Sequence, residues 1–240
     1  MKLLITTRSD NTVKNWEVLT HPIFEKYAKR VGADFKVLNE KYDVHEATGG
    51  IGNGIYQYRI MEHYRLHEEY DRILHLDNDM LLTPDCPDLF DLIPYDHIGT
   101  IYEDVGSRMQ YRRNTIMEGQ QQFGWIGWTE GYINTGVFLT SKCHRDIFQP
   151  INDQYYVEWG TDDIHIGYLI KKNNFKIAQL SYHFNHMTMF SEPWNGNANR
   201  FDSQIIHYAG GGIFDKGIVE NKMEQAKKDF KILYPEDNEL

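Results

Sequence analysis

Hydrophobic and polar positions along the first hundred residues form blocks that predict strands and helices in turn. Short apolar runs predict strands at residues 3–6, 33–38, 72–76 and 98–102. Helical periodicity predicts helices at residues 16–31, 55–70 and 88–93, and Gly32 is placed to end the first of them. Strands that alternate with helices are typical of a mostly parallel sheet flanked by helices on both faces. We therefore predict an α/β fold whose residues 1–102 form a Rossmann-like, nucleotide-binding half.

The pattern is lost between residues 103 and 130, where polar residues, glycines and tryptophans replace any strand or helix periodicity. Long irregular segments inside a domain are uncommon and often functional, so we predict a lid or an acceptor loop here. Three arginines of this segment offer an alternative contact with an anionic acceptor: Arg108, Arg112 and Arg113. The pattern returns in an acceptor-side half, residues 131–240, with strands predicted at 132–140, 175–180 and 204–208 and helices after Lys142, at 162–172 and at 219–233.

The length of 240 residues fits one domain, because single α/β cores of about 250 residues are common. The formal net charge of −10 argues against nucleic acid or an anionic membrane as a general partner. The two cysteines do not suggest a disulfide scaffold. The first apolar run is too short for a signal sequence, and no later run approaches the roughly 20 apolar residues of a membrane span. We therefore expect a soluble cytoplasmic protein.

The acidic triplet Asp77-Asn78-Asp79 directly follows the predicted strand at 72–76. Triplets of this kind arise often by chance, and most are solvated turns. This one ends a buried strand at the edge where open α/β sheets bind ligands. Two carboxylates held there need a positive partner, and a bend can turn both toward one hard cation. Asp77 and Asp79 are therefore predicted to bind a divalent metal ion.

A second candidate for metal binding is His207, which ends a predicted strand and precedes a run of glycines. A neutral imidazole suits Mn²⁺ better than Mg²⁺, which prefers oxygen ligands, so the set predicts manganese with magnesium as the alternative. The glycines let backbone amides approach a diphosphate closely, and Lys216 adds a positive charge. The alternative for His207 alone is a histidine at the edge of the core in a glycine turn.

Three segments in this order resemble the GT-A fold glycosyltransferases: 72–82 (RILHLDNDMLL), 132–139 (YINTGVFL) and 207–210 (HYAG). The resemblance is to the glycogenin and bacterial lipooligosaccharide galactosyltransferase group and to small viral GT-A enzymes. It implies a single GT-A domain that transfers a hexose from a nucleotide-sugar donor, expected to be a UDP-sugar, to a carbohydrate or glycoconjugate acceptor. The segment after Gly210 lacks the proline and tryptophan common in the glycogenin-like pattern, which leaves the acceptor side and the stereochemical outcome open.

The resemblance also implies roles for individual residues. Mn²⁺ is expected at Asp77, Asp79 and His207, and Asn134 is expected under the transferred sugar. The remaining donor-binding candidates are Thr6, Thr7 and Arg8 beside the base and ribose, Arg59 facing the donor, and Asn78, Gly210 and Lys216. Asp163 and Asp162 are the catalytic candidates, either as a general base or as a group that stabilises the reacting sugar. The alternative is a helix N-cap formed by Thr161 with Asp162, which explains one of the two acids without catalysis.

Two other functions fit parts of the sequence. Metal-dependent phosphohydrolases and nucleotidyltransferases also place paired aspartates at strand ends, but the phosphatase version normally has them on the first strand, with a small hydroxyl residue following. A non-catalytic carbohydrate-binding protein would retain aromatic rings for sugar stacking, for which the candidates are Trp125, Trp128 and the stretch 190–194. The complete Asp, Asp and His set argues against this second alternative.

Overall fold

A computed structural model describes residues 1–9, 14–39, 54–192, 196–210 and 222–236 of the chain. Its strands are β1 Leu3–Arg8, β2 Asp34–Leu38, β3 Arg72–Leu76, β4 Met80–Leu82, β5 His97–Tyr102, β6 Ile133–Ser141, β7 Lys176–Gln179 and β8 Ile205–His207. Its α-helices are α1 Lys14–Val31, α2 Gly54–Gln57, α3 His63–Glu69, α4 Leu89–Leu92, α5 Met109–Phe123, α6 Thr161–Lys172 and α7 Lys222–Leu233. Short 3₁₀ helices lie at Tyr58–Glu62, Gly106–Arg108, Lys142–Phe148, Tyr182–Phe184, Thr188–Ser191 and Arg200–Asp202.

Six of the described strands form one sheet in the order β2-β1-β3-β6-β5-β7. Strand β6 runs antiparallel to both of its neighbours, and the other pairs are parallel. The prediction of a mostly parallel α/β sheet flanked by helices is thus confirmed. Strands β4 and β8 form a separate antiparallel pair in which Met80 lies opposite His207. This pairing brings the end of β8 to the acidic triplet between β3 and β4.

Apolar side chains cover both faces of the six-stranded sheet. In β6, Val137 and Leu139 belong to the core cluster that also contains Phe24 of α1, whereas Phe138 belongs to a second cluster with Ile164 of α6. Successive side chains of a strand point to opposite faces, so both faces of β6 are buried. The apolar run Val137–Leu139 in β6 is typical of a strand that is buried on both faces.

The predicted irregular loop at 103–130 is wrong as secondary structure, because most of it is the 15-residue helix α5. The face of α5 that is buried consists largely of polar residues, including Arg112, Thr115 and Gln120. Hydrophobic periodicity cannot identify a helix whose buried face is polar. Arg112 is paired with Glu103, and Gln120 bonds to the backbone of Trp128, so these polar groups are satisfied by neighbours outside the helix. A role of this segment as a lid stays a prediction.

The bounds of the other helices agree with the predictions in part. The predicted helix at 55–70 is divided into α2, a 3₁₀ helix and α3. Gly32 ends α1 as predicted, with a positive φ of 70°. No helix in the described ranges combines the length and the apolar character needed to cross a membrane.

Candidate active site

A cleft of about 460 Å³ opens beside the acidic triplet and the end of β8. The elements that meet there are the ends of β1, β3 and β8 and the start of α6, together with Asn134 and Thr135 of β6. Residues singled out from the sequence that line it are Arg8, Asp77, Asn78, Asp79, Asn134, Asp162, Asp163, His207 and Gly210. The sheet edge thus brings together side chains that are far apart in the chain, as expected for the carboxyl ends of parallel strands.

Asp77, Asp79 and His207 form the one cluster of potential metal ligands among the described residues, with one ligand atom from each within 4.8 Å of the others. Nε2 of His207 lies 3.2 Å from Oδ1 of Asp79 and 3.7 Å from Oδ2 of Asp77. Two carboxylates and one imidazole nitrogen at these separations fit a single divalent cation. The set suits a borderline metal such as Mn²⁺ better than one with strict oxygen preference.

The charges around the cluster keep both aspartates ionised. Burial raises the pKa of Asp77, but the Arg8 guanidinium and the His75 and His207 rings outweigh it and hold that pKa far below its usual range. Burial likewise raises the pKa of Asp79, and His207 and Lys222 lower it overall. Carboxylates that stay ionised at neutral pH are in the form that binds a metal ion.

Arg8 lies between the metal candidates and the acidic pair of α6. It is almost fully buried, and its Nε atom donates to Oδ1 of Asp77 at 3.1 Å. Its Nη1 atom donates to Oδ2 of Asp162 at 2.7 Å and to the backbone oxygen of Gln57 at 2.9 Å. The guanidinium therefore positions two carboxylates of the cleft. The resemblance instead led to the expectation that Arg8 lies beside the base and ribose of the donor.

Asp162 and Asp163 lie in the first turn of α6 and contact the same threonine. Oγ1 of Thr135 is 2.8 Å from Oδ2 of Asp162 and 2.9 Å from Oδ1 of Asp163. Asp163 also accepts from the backbone N–H of Thr135 at 2.8 Å and from the Tyr132 hydroxyl at 3.2 Å. Burial, Asp162 and Glu103 together raise the pKa of Asp163 well above its ordinary value.

The helix N-cap position of α6 is Gly160, and neither aspartate caps the helix. The alternative of an N-cap formed by Thr161 with Asp162 is therefore wrong. Both carboxylates instead hold a strand residue, Thr135, against the helix start. Both members of the acidic pair line the cleft. Asp162 is paired with Arg8, whereas Asp163 has no cation in direct contact among the described residues.

Three of the expected donor-binding residues are placed in the interior. Thr6 is fully buried, and its hydroxyl lies 2.8 Å from Nε2 of His63 and 3.0 Å from Nδ1 of His75. Thr7 is equally buried, and Arg59 donates a long hydrogen bond of 3.5 Å to the backbone oxygen of Leu38. The described lining of the cleft includes none of these three residues. Lys216 lies outside the described residues.

The arginines considered for an anionic acceptor are paired with acidic side chains. Arg108 and Arg112 both bond to Glu103, and Arg113 bonds to Asp104 and Glu130. Of the aromatic candidates for sugar stacking, Trp128 and Phe190 are buried, Trp125 is 62% exposed, and Trp194 is outside the described residues. These positions do not gather at the cleft in the part of the chain that the structure describes.

The cleft also contains side chains that the sequence did not single out. Lys222, at the start of α7, donates to Oδ2 of Asp79 at 3.2 Å and to the backbone oxygen of Tyr208 at 2.7 Å. The rings of Trp16 and Tyr56 line the same cleft. Trp16 was visible only as a core-facing position of a helix, and the sequence carries no signal that would separate Lys222 from the other lysines of α7.

The order of the strands, the single antiparallel strand β6 and the acidic triplet that follows β3 define a GT-A fold. The resemblance to GT-A glycosyltransferases is confirmed at this level by solved structures. A glycosyltransferase involved in the glycosylation of the major capsid of PBCV-1 aligns over 95% of this chain and 98% of its own, with a TM-score of 0.60 and 12% identity. The galactosyltransferase LgtC, in complex with donor and acceptor sugar analogues, aligns over 96% of each chain, with a TM-score of 0.57 and 17% identity.

A third similar structure is a point mutant of the Drosophila β1,4-galactosyltransferase 7 in complex with manganese, UDP-Gal and xylobiose. It aligns over 95% of this chain and 80% of its own, with a TM-score of 0.50 and 12% identity. No protein-family model matches the chain, and no curated protein matches its sequence. The likeness therefore lies in the fold, and the chemistry must be argued from the cleft.

Proposed function

We propose that this protein is a metal-dependent glycosyltransferase that moves a sugar from a nucleotide diphosphate donor, expected to be a UDP-sugar, to a carbohydrate or glycoconjugate acceptor. The observation that supports this most directly is the cluster of Asp77, Asp79 and His207, whose ligand atoms lie within 4.8 Å of one another in a cleft of a GT-A fold. Solved structures with this fold include one that contains manganese and UDP-Gal together. Mn²⁺ is the proposed metal, with Mg²⁺ as the alternative.

The donor is proposed to lie with its diphosphate at the cluster. A bound divalent ion there would supply Lewis-acid neutralisation of the charge that develops on the leaving diphosphate. Lys222 adds an ammonium group on the same side of the cleft, beside Asp79. Gly210 has a positive φ of 60°, and no described residue other than its chain neighbours comes within 4 Å of the place where a Cβ would lie. The rings of Trp16 and Tyr56 offer flat surfaces on which a nucleobase can stack.

The acidic pair is proposed to act at the sugar. Asp162 is held by Arg8 and Thr135, which suits a positioning role. Asp163 has a pKa raised by burial and by the negative charges of Asp162 and Glu103. A carboxylate whose pKa is raised is a stronger base than an ordinary aspartate, which favours it as the proton acceptor in general-base catalysis. We therefore assign two alternative roles to Asp163. In an inverting reaction it takes the proton from the acceptor hydroxyl. In a retaining reaction it stabilises the reacting sugar.

The acceptor side is proposed to include Trp159, which directly precedes the turn into α6 and is 47% exposed. Its ring is held by three neighbours: the edge of Tyr111 at 4.7 Å between centroids, the ring of Tyr132 at 6.5 Å and the guanidinium of Arg112 at 4.3 Å. Tyr132 in turn bonds to Asp163. An immobilised, half-exposed indole beside a carboxylate is a surface on which the apolar face of a pyranose can stack.

The proposal is tested by nucleoside diphosphate release from a panel of nucleotide sugars, with and without Mn²⁺. Turnover of one donor that requires the metal is expected, with loss in Asp79→Asn. Asp85→Asn, which changes an exposed carboxylate a few residues further along the chain, serves as the control and is expected to keep full activity. The anomeric configuration of the product, read by NMR, then decides between the two roles of Asp163.

Two other outcomes would replace the proposal. Metal-dependent hydrolysis of simple phosphomonoesters, without preference for a donor sugar, would indicate a phosphohydrolase. Sugar binding that needs no metal and leads to no turnover with any donor would indicate a carbohydrate-binding protein.

A further inference from the structure

Asn185 is a fully buried side chain that joins the metal cluster to the sugar side of the cleft. Its Oδ1 atom lies 2.8 Å from Nδ1 of His207. Its Nδ2 atom donates to Oδ1 of Asn134 at 2.8 Å. The amide of Asn185 thus bridges a predicted metal ligand and a residue that lines the cleft, without lining the cleft itself among the described residues.

The direction of every hydrogen bond in this bridge is fixed by one backbone group. The N–H of Gly136 donates to the side chain of Asn134 at 3.0 Å, so the atom of Asn134 at that position must be its oxygen. That oxygen can be approached by Asn185 only through an N–H, which turns the Asn185 oxygen toward His207. An amide oxygen only accepts, so Nδ1 of His207 must carry a proton and donate it.

A proton on Nδ1 has a direct consequence for the other nitrogen of the ring. In a neutral imidazole one nitrogen carries the proton and the other keeps its lone pair. With the proton held on Nδ1, the lone pair is on Nε2, which is the atom that lies 3.2 Å from Oδ1 of Asp79 and 3.7 Å from Oδ2 of Asp77. The bridge therefore presents to the cluster the nitrogen that a divalent ion needs.

The backbone holds Asn185 in place for this contact. The N–H of His186 donates to the oxygen of Ile205 at 2.9 Å, and the N–H of His207 donates to the oxygen of His186 at 2.9 Å. The N–H of Asn185 itself donates to the oxygen of Tyr182 at 2.9 Å. Because neighbours on both segments are paired in this way, the separation of Asn185 and His207 does not depend on the side-chain contact alone.

We propose that Asn185 is a positioning residue that fixes the tautomer and the orientation of His207 for metal binding and couples that ligand to Asn134. The hydrogen bond from the distal nitrogen of a metal-binding histidine commonly orients the ring and raises its basicity, and its loss costs about 10- to 100-fold in metal affinity. The link to Asn134 rests on the proposed function, whereas the effect on His207 does not. Metal binding alone therefore tests the first part.

The first experiment measures Mn²⁺ affinity by calorimetric titration of the wild type, Asn185→Leu and Asn185→Asp, with no nucleotide sugar present. Leucine has a similar size and removes the acceptor, so a roughly 10- to 100-fold weaker affinity is expected. Aspartate keeps an oxygen that accepts from Nδ1, so its affinity is expected to stay near or above the wild-type value. Equal affinity in the leucine variant, or an equal loss in both folded variants, would overturn the proposal.

The second experiment needs no variant and thus does not depend on how well a substituted core folds. The histidine nitrogens of the Zn²⁺-loaded wild type are observed by ¹⁵N NMR. His207 is expected to bind the metal through Nε2 and to keep a proton on Nδ1 that exchanges slowly with water. Coordination through Nδ1, or rapid exchange of its proton, would overturn the assignment even if sugar transfer is active.

The coupling to Asn134 is tested separately in the transfer assay. In Asn185→Asp a carboxylate oxygen faces Oδ1 of Asn134, so the donor bond is replaced by repulsion while the contact with His207 is kept. The KM for the donor is expected to rise although Mn²⁺ affinity is retained. An unchanged donor KM would show that Asn185 is not coupled to Asn134. Absence of sugar transfer in the wild type would instead reject the proposed function.

Discussion

Nη1 of Arg8 donates a 2.7 Å hydrogen bond to Oδ2 of Asp162, although the two residues lie 154 positions apart in the chain. Both side chains are about 95% buried. The same guanidinium also bonds to Asp77, so one cation compensates a predicted metal ligand and a member of the acidic pair. Burial lowers the pKa of Arg8, but the two aspartates raise it overall, and the guanidinium stays charged throughout the accessible pH range.

Replacing Arg8 with methionine is expected to leave the buried Asp162 and the partly buried Asp77 without their cation. Removing one partner of a buried ion pair typically costs about 3–5 kcal/mol of stability. Added Mn²⁺ is expected to recover part of the loss, because it supplies charge beside Asp77. The measurement is urea denaturation with and without Mn²⁺. Arg113→Met is the control, since its ion pairs are partly exposed and worth about 0–1 kcal/mol. Equal losses in the two variants would contradict this account.

The acidic part of the metal cluster could be predicted from the sequence because Asp77 and Asp79 come directly after the apolar strand β3. The resemblance adds His207 to the same site, and the structure brings it there through the antiparallel pairing of β8 with β4, in which His207 lies opposite Met80. The role of Arg8 could not be read in this way. Its position at the end of β1 is compatible with a donor contact, and only the meeting of β1, β3 and α6 in space shows that its charge is used by Asp77 and Asp162.

Helix α5 and Asn185 show why other features stayed hidden. The buried side of α5 is polar because Glu103, Asp104 and the backbone of Trp128 satisfy it, and such partners outside the helix leave no periodic signal. Asn185 lies between two histidines, His183 and His186, and histidine is a commoner metal ligand than asparagine. His186 is instead engaged by Ser203 at 2.7 Å, and the asparagine beside it contacts the ligand.

Gly136 is predicted to be essential for metal binding because His207 packs directly against its backbone. A Cβ at this position would lie 2.7 Å from Cε1 of His207, 2.8 Å from Oδ1 of Asn134 and 2.9 Å from Cε of Met80. Gly136→Ala must therefore displace the His207 ring or the Asn134 amide. A clear loss of Mn²⁺ affinity, of the order of about tenfold or more, is expected in calorimetric titration.

A matched control is Gly119→Ala, where a Cβ would lie 2.6 Å from Cγ2 of Ile164 between α5 and α6. This change is equally crowded but touches no member of the metal cluster. It is expected to lower the melting temperature and to keep the Mn²⁺ affinity. If both alanine variants lost affinity alike, general destabilisation rather than contact with His207 would be the cause.

The raised pKa of Asp163 predicts a dependence of stability on pH. Because its pKa is higher in the folded than in the unfolded protein, the folded state binds more protons from about pH 4 upward to the raised value. The free energy of unfolding therefore falls as the pH rises through this window. Asp163→Asn removes the titrating group and is expected to be more stable than the wild type at neutral pH, by a few degrees in melting temperature, with little difference near pH 4.

The measurement is thermal unfolding of metal-free protein from about pH 4 upward, because the window begins near the ordinary pKa of an aspartate. Asp162→Asn is the matched control at the neighbouring position and is expected to change stability in the opposite direction, because it removes the partner of Arg8. If the proposed proton transfer is right, Asp163→Asn also loses sugar transfer while it gains stability. A destabilised Asp163→Asn would show that ionisation of the Asp163 carboxyl group does not lower the stability of the folded protein.

Trp159→Ala is expected to weaken binding of the acceptor and leave binding of the donor unchanged, because the indole packs beside Tyr132, whose hydroxyl bonds to Asp163 of the acidic pair. Loss of one aromatic platform is worth about 0.5–1.5 kcal/mol, which corresponds to a rise of a few-fold to about tenfold in the acceptor KM. The donor KM and the Mn²⁺ affinity serve as internal references. Trp125→Ala, which removes a second and more exposed indole, is the control. Equal effects of the two tryptophan variants on the acceptor KM would place the acceptor elsewhere, whereas a rise confined to Trp159→Ala would locate it at the start of α6.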